Sequence, residues 1–256
     1  MKITLIYLHV AKSGYPEAPP PEYYWRYSER WARTYQQHPA GIEHEVRIVC
    51  CGGPPTDAIV ELYAGIPHTW ESYLGAGSDI GACQYAMKHV DADFVVCMST
   101  PVYLWKPGWL KRMADVREYF GDGLYGPMAS NQNTPHIRTS CWGVDPKTFE
   151  KYPHVIDTRE KACWAESFDY KDERWQISNW YESIPKPVIM MTWNGVHNRS
   201  DWRKPANIFR RGDQSACLVW DQHVDKYFAA HYHERLAFEK LADEDCTVIP
   251  ENPEKV

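Results

Sequence analysis

The chain lacks a run of about 18 consecutive apolar residues, the length a helix needs to cross a bilayer, so no membrane span is expected. It also lacks CxxC spacing. Its eight cysteines (Cys50, Cys51, Cys83, Cys97, Cys141, Cys163, Cys217 and Cys246) are scattered, which excludes the usual zinc-site and redox motifs. Several stand in apolar runs, such as Cys97 in Val-Val-Cys-Met and Cys217 in Ala-Cys-Leu-Val. Buried free thiols in a reducing compartment are the expectation. Positive charge is not in excess: 28 Lys and Arg against 34 Asp and Glu give a net charge of −6. No global field draws in nucleic acid. The start, Met1 to Tyr7, enters a strand-like run without a signal-peptide layout, so the cytoplasm is the expected location. No repeat and no low-complexity linker divides the 256 residues. One domain over 1–242 with a polar tail over 243–256 is expected.

What the chain has is aromatic surface: 12 Trp and 17 Tyr. A Trp- and Tyr-rich core or a cleft with stacking platforms fits that content. A basic segment runs from Trp202-Arg203-Lys204 to Arg210-Arg211. Its size suits a phosphate-bearing small molecule or a solvated face better than a long polyanion.

Periodicity predicts a strand over 3–10, a helix over 23–37, a strand over 45–50 and a short helix or loop over 56–62. Ser78 to His89 reads as a helix with Ser78 and Asp79 as N-cap residues. Asp93 to Met98 reads as a strand buried on both faces. The turn Ser99-Thr100-Pro101 follows, and Lys106-Pro107-Gly108-Trp109-Leu110 opens another helix with proline in its first turn. Further elements are a short strand within 121–128, a strand over 135–144, a short helix at Pro146, a helix over 165–181, a strand over 187–193 and a long helix over 213–233. Strands alternating with helices argue for an α/β fold with a mostly parallel sheet. Ligands of such sheets gather at the carboxyl ends of strands, where Ser99-Thr100-Pro101 lies.

The order of these segments resembles the GT-A type glycosyltransferases, in the broad family-2-like group. Gly77-Ser78-Asp79-Ile80-Gly81-Ala82 resembles the helix before that family's central strand. Asp93-Phe94-Val95-Val96-Cys97-Met98 resembles the strand, and Lys106-Pro107-Gly108-Trp109-Leu110 the Pro-Gly-Trp-Leu segment after it. His136-Ile137-Arg138-Thr139-Ser140, together with Gly212-Asp213-Gln214 through Val219-Trp220-Asp221, resembles segments of bacterial and phage-encoded members. The resemblance covers roughly residues 1–230. It implies a Rossmann-like nucleotide-diphospho-sugar transferase fold. The donor would be a UDP, GDP or dTDP sugar, and a hydroxyl on a glycan, a protein or a modified phage DNA base would be the acceptor.

The chain departs from that pattern where the family carries Asp-x-Asp on Mn²⁺ or Mg²⁺. Here Met98-Ser99-Thr100-Pro101-Val102 stands instead. Hydroxyls bond ribose or phosphate but replace two carboxylates on a hard cation poorly. The metal ligands are therefore unassigned, and cationic side chains must offset the diphosphate charge.

The resemblance places Glu166 as the base at the start of a helix, with Asp169 as the fallback. An acid favoured at a helix N-terminus is the alternative for Glu166. The donor-side candidates are His9, Asp79, Ser99, Thr100, His197, Arg203, Lys204 and Arg210. On the acceptor side the candidates are His136, Arg138 and Trp142. Two other readings compete: a GT-A-like binding module without activity, and a metal-dependent hydrolase, against which the lack of compact ligand spacing argues.

Overall fold

The computed structural model describes residues 1–12, 19–131, 134–167, 175–202 and 214–243. In chain order the elements are β1 (Ile3–Val10), α1 (Pro21–Gln37), β2 (Glu45–Cys51), α2 (Asp57–Leu62), β3 (Thr69–Tyr73), α3 (Ser78–Met87), β4 (Phe94–Met98) and α4 (Trp109–Phe120). Then come β5 (Leu124–Gly126), β6 (Ala129–Ser130), β7 (His136–Ile137), β8 (Cys141–Val144), α5 (Pro146–Phe149), α6 (Arg159–Glu166) and α7 (Ile177–Ser183). The last are β9 (Val188–Met191), β10 (Val196–Asn198), α8 (Gln222–Ala229) and α9 (Tyr232–Asp243).

The fold is α/β, built on an eight-stranded sheet in the order β10-β9-β5-β8-β4-β1-β2-β3. Only β8 and β10 run against the other six strands, so the sheet is mostly parallel. β1 sits between β2 and β4, with Leu5 opposite Val46 on one side and Val96 on the other. Every residue from Ile3 to Leu8 is buried, as the near-continuous apolar run requires of a central strand.

The two faces of the sheet each carry a helical layer. Ile3, Leu5 and Tyr7 point to one face and pack with Trp31 of α1 and Trp109, Leu110 and Met113 of α4. Ile6 and Leu8 point to the other face, toward Ile80 and Cys83 of α3, Ala165 of α6 and Tyr181 of α7. This is the period-two alternation of a strand seen as two cores. Trp31 stacks on Tyr7 with ring centroids 3.8 Å apart.

Several local expectations are corrected. Gly77, rather than Ser78 or Asp79, holds the N-cap position of α3, and no side chain caps it. Ser78 has φ 55°, because the chain must turn sharply into the helix there. α4 starts at Trp109, since Gly108 before it is left-handed at φ 82°, so Pro107 lies outside the helix. The stretch expected as one strand over 135–144 is β7 and β8, separated by a turn at Thr139 and Ser140.

The helix expected over 165–181 is two helices. α6 begins earlier because the Thr158 side chain caps it by accepting from Lys161 N, and Ser167 closes it. α7 starts only at Ile177. The long helix expected over 213–233 is likewise broken. Asp221 caps α8 by accepting from His223 N and Val224 N, and Ala230, extended at ψ 147°, ends it. The edge strand β3, which pairs in parallel with β2, was not expected.

Candidate active site

A cleft of about 350 Å³ opens at the carboxyl ends of β1 to β4. β2 and β3 lie on one side of β1 and β4 on the other, so this is the point where the strand order reverses and open α/β sheets bind ligands. Leu8, Val10 and Lys12 line it from β1 and its extension, Cys51 and Gly52 from β2, and Tyr73 to Ala76 from β3 and the following turn. Asp79 enters from α3, Ser99 and Thr100 from the end of β4, Arg138 to Ser140 from the turn before β8, and Glu166 from α6. Asp221, Gln222 and His223 close it from α8, and Tyr24 from α1.

Five residues expected at the site from sequence meet in this one cleft: Asp79, Ser99, Thr100, Arg138 and Glu166. Backbone contacts pin its floor. Thr100 Oγ1 donates to Leu8 O at 2.7 Å and Ser99 N to Ser140 O at 2.9 Å. Tyr7 OH donates to Thr100 O at 3.0 Å. These bonds tie the β4 turn to both β1 and the β8 turn.

Glu166 is the last residue of α6, not the first of a helix as expected. The helix dipole at that end disfavours an anion, so its charge must be held from elsewhere. Its Oε1 accepts from Thr139 N at 3.1 Å and faces Arg138 Nη1 at 3.4 Å. Burial pushes the carboxyl up, but the Arg138 guanidinium and the Thr139 N–H outweigh it and leave it below the ordinary glutamate value. The pair is 15% and 21% exposed, so water screens it little.

Asp79 shifts the other way. Burial first, and then the negative charge of Glu166, raise it to about 6, although Ile80 N donates to its Oδ1 at 3.0 Å. The two carboxyls are driven apart in this manner, so that Glu166 stays ionised while Asp79 changes state near pH 6.

Arg138 also reaches His223, Nη2 to Nε2 at 3.3 Å. A guanidinium only donates, so in this contact His223 Nε2 is the acceptor. Sequence reasoning missed Asp221 and His223. The available signal was an aspartate directly ahead of an amphipathic stretch, the pattern of an N-cap.

The remaining expected residues lie elsewhere. His9 projects from the other face of β1, where its Nδ1 pairs with Tyr63 OH at 2.8 Å and its ring packs edge-on to Trp25. The alternation of the strand decides this, because the neighbours Leu8 and Val10 are the ones that face the cleft. Trp142 is core, 1% exposed and edge-on to Phe149. His136 is 1% exposed and outside the cleft lining, its Nδ1 donating to Thr134 O at 2.7 Å. Burial lowers it to about 4, so at neutral pH it is uncharged and the charge that faces Glu166 is that of Arg138. His197 is on β10, at the far edge of the sheet. Asp169, Arg203, Lys204 and Arg210 lie outside the described residues.

Among the described residues, no three His, Cys, Asp or Glu side chains come together as a metal-ligand set. Ser99 and Thr100 offer only hydroxyls, and both donate to backbone carbonyls. These two hydroxyls do not fit a hard divalent cation in place of two carboxylates. No described helix is long and apolar enough to cross a membrane.

Comparison with protein-family models and with curated proteins gives no match. Among solved structures, the chain is similar to 4-diphosphocytidyl-2C-methyl-D-erythritol synthase from Anaerococcus prevotii. The identity is 12%, with 91% of this chain and 98% of that chain covered and a TM-score of 0.48. It is similar to TarS from S. aureus at 13% identity, covering 67% of this chain and 36% of that one, TM-score 0.43. A mannosyltransferase from Pyrobaculum calidifontis, in complex with GDP-Man and Mn²⁺, is similar at 12% identity, covering 61% of this chain and 49% of that one, TM-score 0.42. The chain therefore spans about a third of TarS and about half of the mannosyltransferase in length.

Proposed function

We propose that the chain is a GT-A type glycosyltransferase that moves a sugar from a nucleoside diphosphate to an acceptor hydroxyl. The observation that carries this reading is the cleft at the β1/β4 switch point, which brings an ionised Glu166, Asp79 and Arg138 together with the Ser99-Thr100 turn. Such a crevice suits a nucleotide, and its chemistry suits a transfer that needs one base and cationic support for a leaving diphosphate.

In this reading the acceptor oxygen attacks the anomeric carbon and its proton passes to Glu166. The bond from that carbon to the diphosphate breaks, and the diphosphate leaves with the electron pair. Lys12 and Arg138 line the cleft and offset its charge. Arg203, Lys204 and Arg210 are proposed to add to them. Glu166 is ionised throughout the neutral range, so its low value gives up basicity for constant availability. Asp79 sits on the same cleft and is proposed to hold a donor-sugar hydroxyl by accepting its hydrogen bond.

One observation favours a second reading, a sugar-nucleotide binding module. Both hydroxyls of the β4 turn are spent on backbone carbonyls. A thermal-shift panel of UDP, GDP and dTDP sugars tests whether any donor binds, since a ligand at about 100 times its Kd adds about 2.7 kcal/mol of stability. Binding without release of nucleoside diphosphate would select the module. A panel with no shift would sink both readings.

A further inference from the structure

A second cavity, about 670 Å³, lies between α1 and α8 and is lined by Tyr23, Arg26, Tyr27, Arg30, Lys226 and Phe228, among others. We propose that it is a binding subsite for an anionic saccharide, a sugar bearing a phosphate or carboxylate, which it presents to the cleft as acceptor. The acceptor role rests on the transferase reading, whereas binding of the anionic sugar does not.

Charge is the first argument. The chain is acidic overall at −6, yet this cavity carries three cations against one carboxylate, Asp225. That carboxylate is already engaged, by Arg30 at 2.6 Å and by Tyr103 OH at 2.5 Å. Arg26 and Lys226 make no ion pair among the described residues. Glu29, near Arg26 on α1, instead accepts from Trp25 Nε1 at 2.7 Å. Two uncompensated cations in a concave wall are an anion site, and a guanidinium suits the paired oxygens of phosphate and carboxylate.

Aromatic surface is the second argument. The Arg26 guanidinium lies 4.7 Å from the Tyr23 ring centroid and 5.0 Å from that of Tyr27, which fixes its place beside two ring faces. Phe228 is 43% exposed and leans on Trp220 at 5.3 Å. Flat aromatic rings beside cations match the apolar C–H face and the charged substituent of an acidic sugar. A purely apolar ligand leaves both cations unused, and a metal ion is repelled by them.

Position is the third argument. Gln222 lines both the cavity and the cleft, and its Oε1 accepts from Tyr23 OH. The next residue, His223, lines the cleft and touches Arg138. A saccharide held on α1 and α8 therefore extends past Gln222 toward Glu166.

The test is a titration of the full chain, followed by protein NMR, with glucose 6-phosphate, glucuronic acid, glucose and inorganic phosphate as separate probes. The two sugar anions are expected to bind in the millimolar range and more tightly than either glucose or phosphate. An Arg26→Ala/Lys226→Ala double variant should weaken both by at least about tenfold at an unchanged Tm, because both side chains are exposed. Phe228→Ala should weaken the sugar anions and leave phosphate unaffected. Comparison of the phosphate and carboxylate arms shows which anion is preferred. Absence of binding by either sugar anion, equal binding by glucose or by phosphate alone, or a double variant that binds normally would overturn the proposal. If the sugar anions bind here while no nucleotide sugar shifts the Tm, the transferase reading falls and the subsite stands.

Discussion

Asp79 and Glu166 line the same cleft and titrate in opposite directions. Glu166, tied to Arg138 at 3.4 Å and to Thr139 N at 3.1 Å, is held ionised. Asp79, half-buried and facing that negative charge, is raised to about 6. One carboxyl is therefore fixed as the anion, and the other changes state close to neutrality.

This asymmetry has a consequence for stability. The folded value of Asp79, about 6, lies above its ordinary 3.8. An acid raised on folding costs nothing below its unfolded value, and the cost grows as pH rises through the folded value. The difference corresponds to about 3 kcal/mol at most. Asp79→Asn should therefore raise the Tm at pH 8 and leave it nearly unchanged at pH 4. Thermal melts at the two pH values check this; an equal shift at both would contradict it.

Glu166→Gln keeps the shape of the side chain and removes the carboxylate proposed as the proton acceptor. Transfer is expected to fall by about 10²–10⁴-fold with donor binding retained. Steady-state rates beside a donor titration separate the two effects. Full activity in the variant would remove Glu166 as the base.

Arg138→Met strips Glu166 of its main counter-charge and leaves a poorly screened carboxylate, because only 21% of that side chain is exposed. A loss of about 1–3 kcal/mol is expected. The Glu166 carboxyl should then titrate at higher pH, which moves the acidic limb of the rate profile upward. Denaturant unfolding and a pH–rate series measure both.

Gly81 faces the backbone of the loop before α6. A Cβ built there would come 2.4 Å from Ile156 O and 2.8 Å from Tyr73 OH. Gly81→Ala should cost about 1–3 kcal/mol. Because Tyr73 lines the cleft, it should weaken donor binding as well. A variant with unchanged Tm would show that the loop gives way freely.

Much of this architecture was legible in the residues. The run Ile3 to Val10 is β1 as expected, and Phe94 to Met98 is the buried β4. Both are near-continuous apolar stretches that only a central strand can bury. Breaks inside polar and aromatic segments were not legible. The starts of α6 and α8 depend on capping by Thr158 and Asp221, and their ends at Ser167 and Ala230 on backbone that leaves the helical region there. Within the sheet, Asp79, Arg138 and Glu166 meet in one cleft, whereas strand parity puts His9 on the other face of β1 and burial puts Trp142 in the core. Asp221 and His223 enter the cleft from a distant helix start, a contact that no local spacing encodes.

The measurement that bears most directly on the central claim is release of nucleoside diphosphate from UDP, GDP and dTDP sugars by the full chain, with Glu166→Gln in parallel. The account predicts that at least one donor is turned over by the native protein and that the variant is slower by about 10²-fold or more. No release from any donor, or equal release by the two proteins, would contradict it.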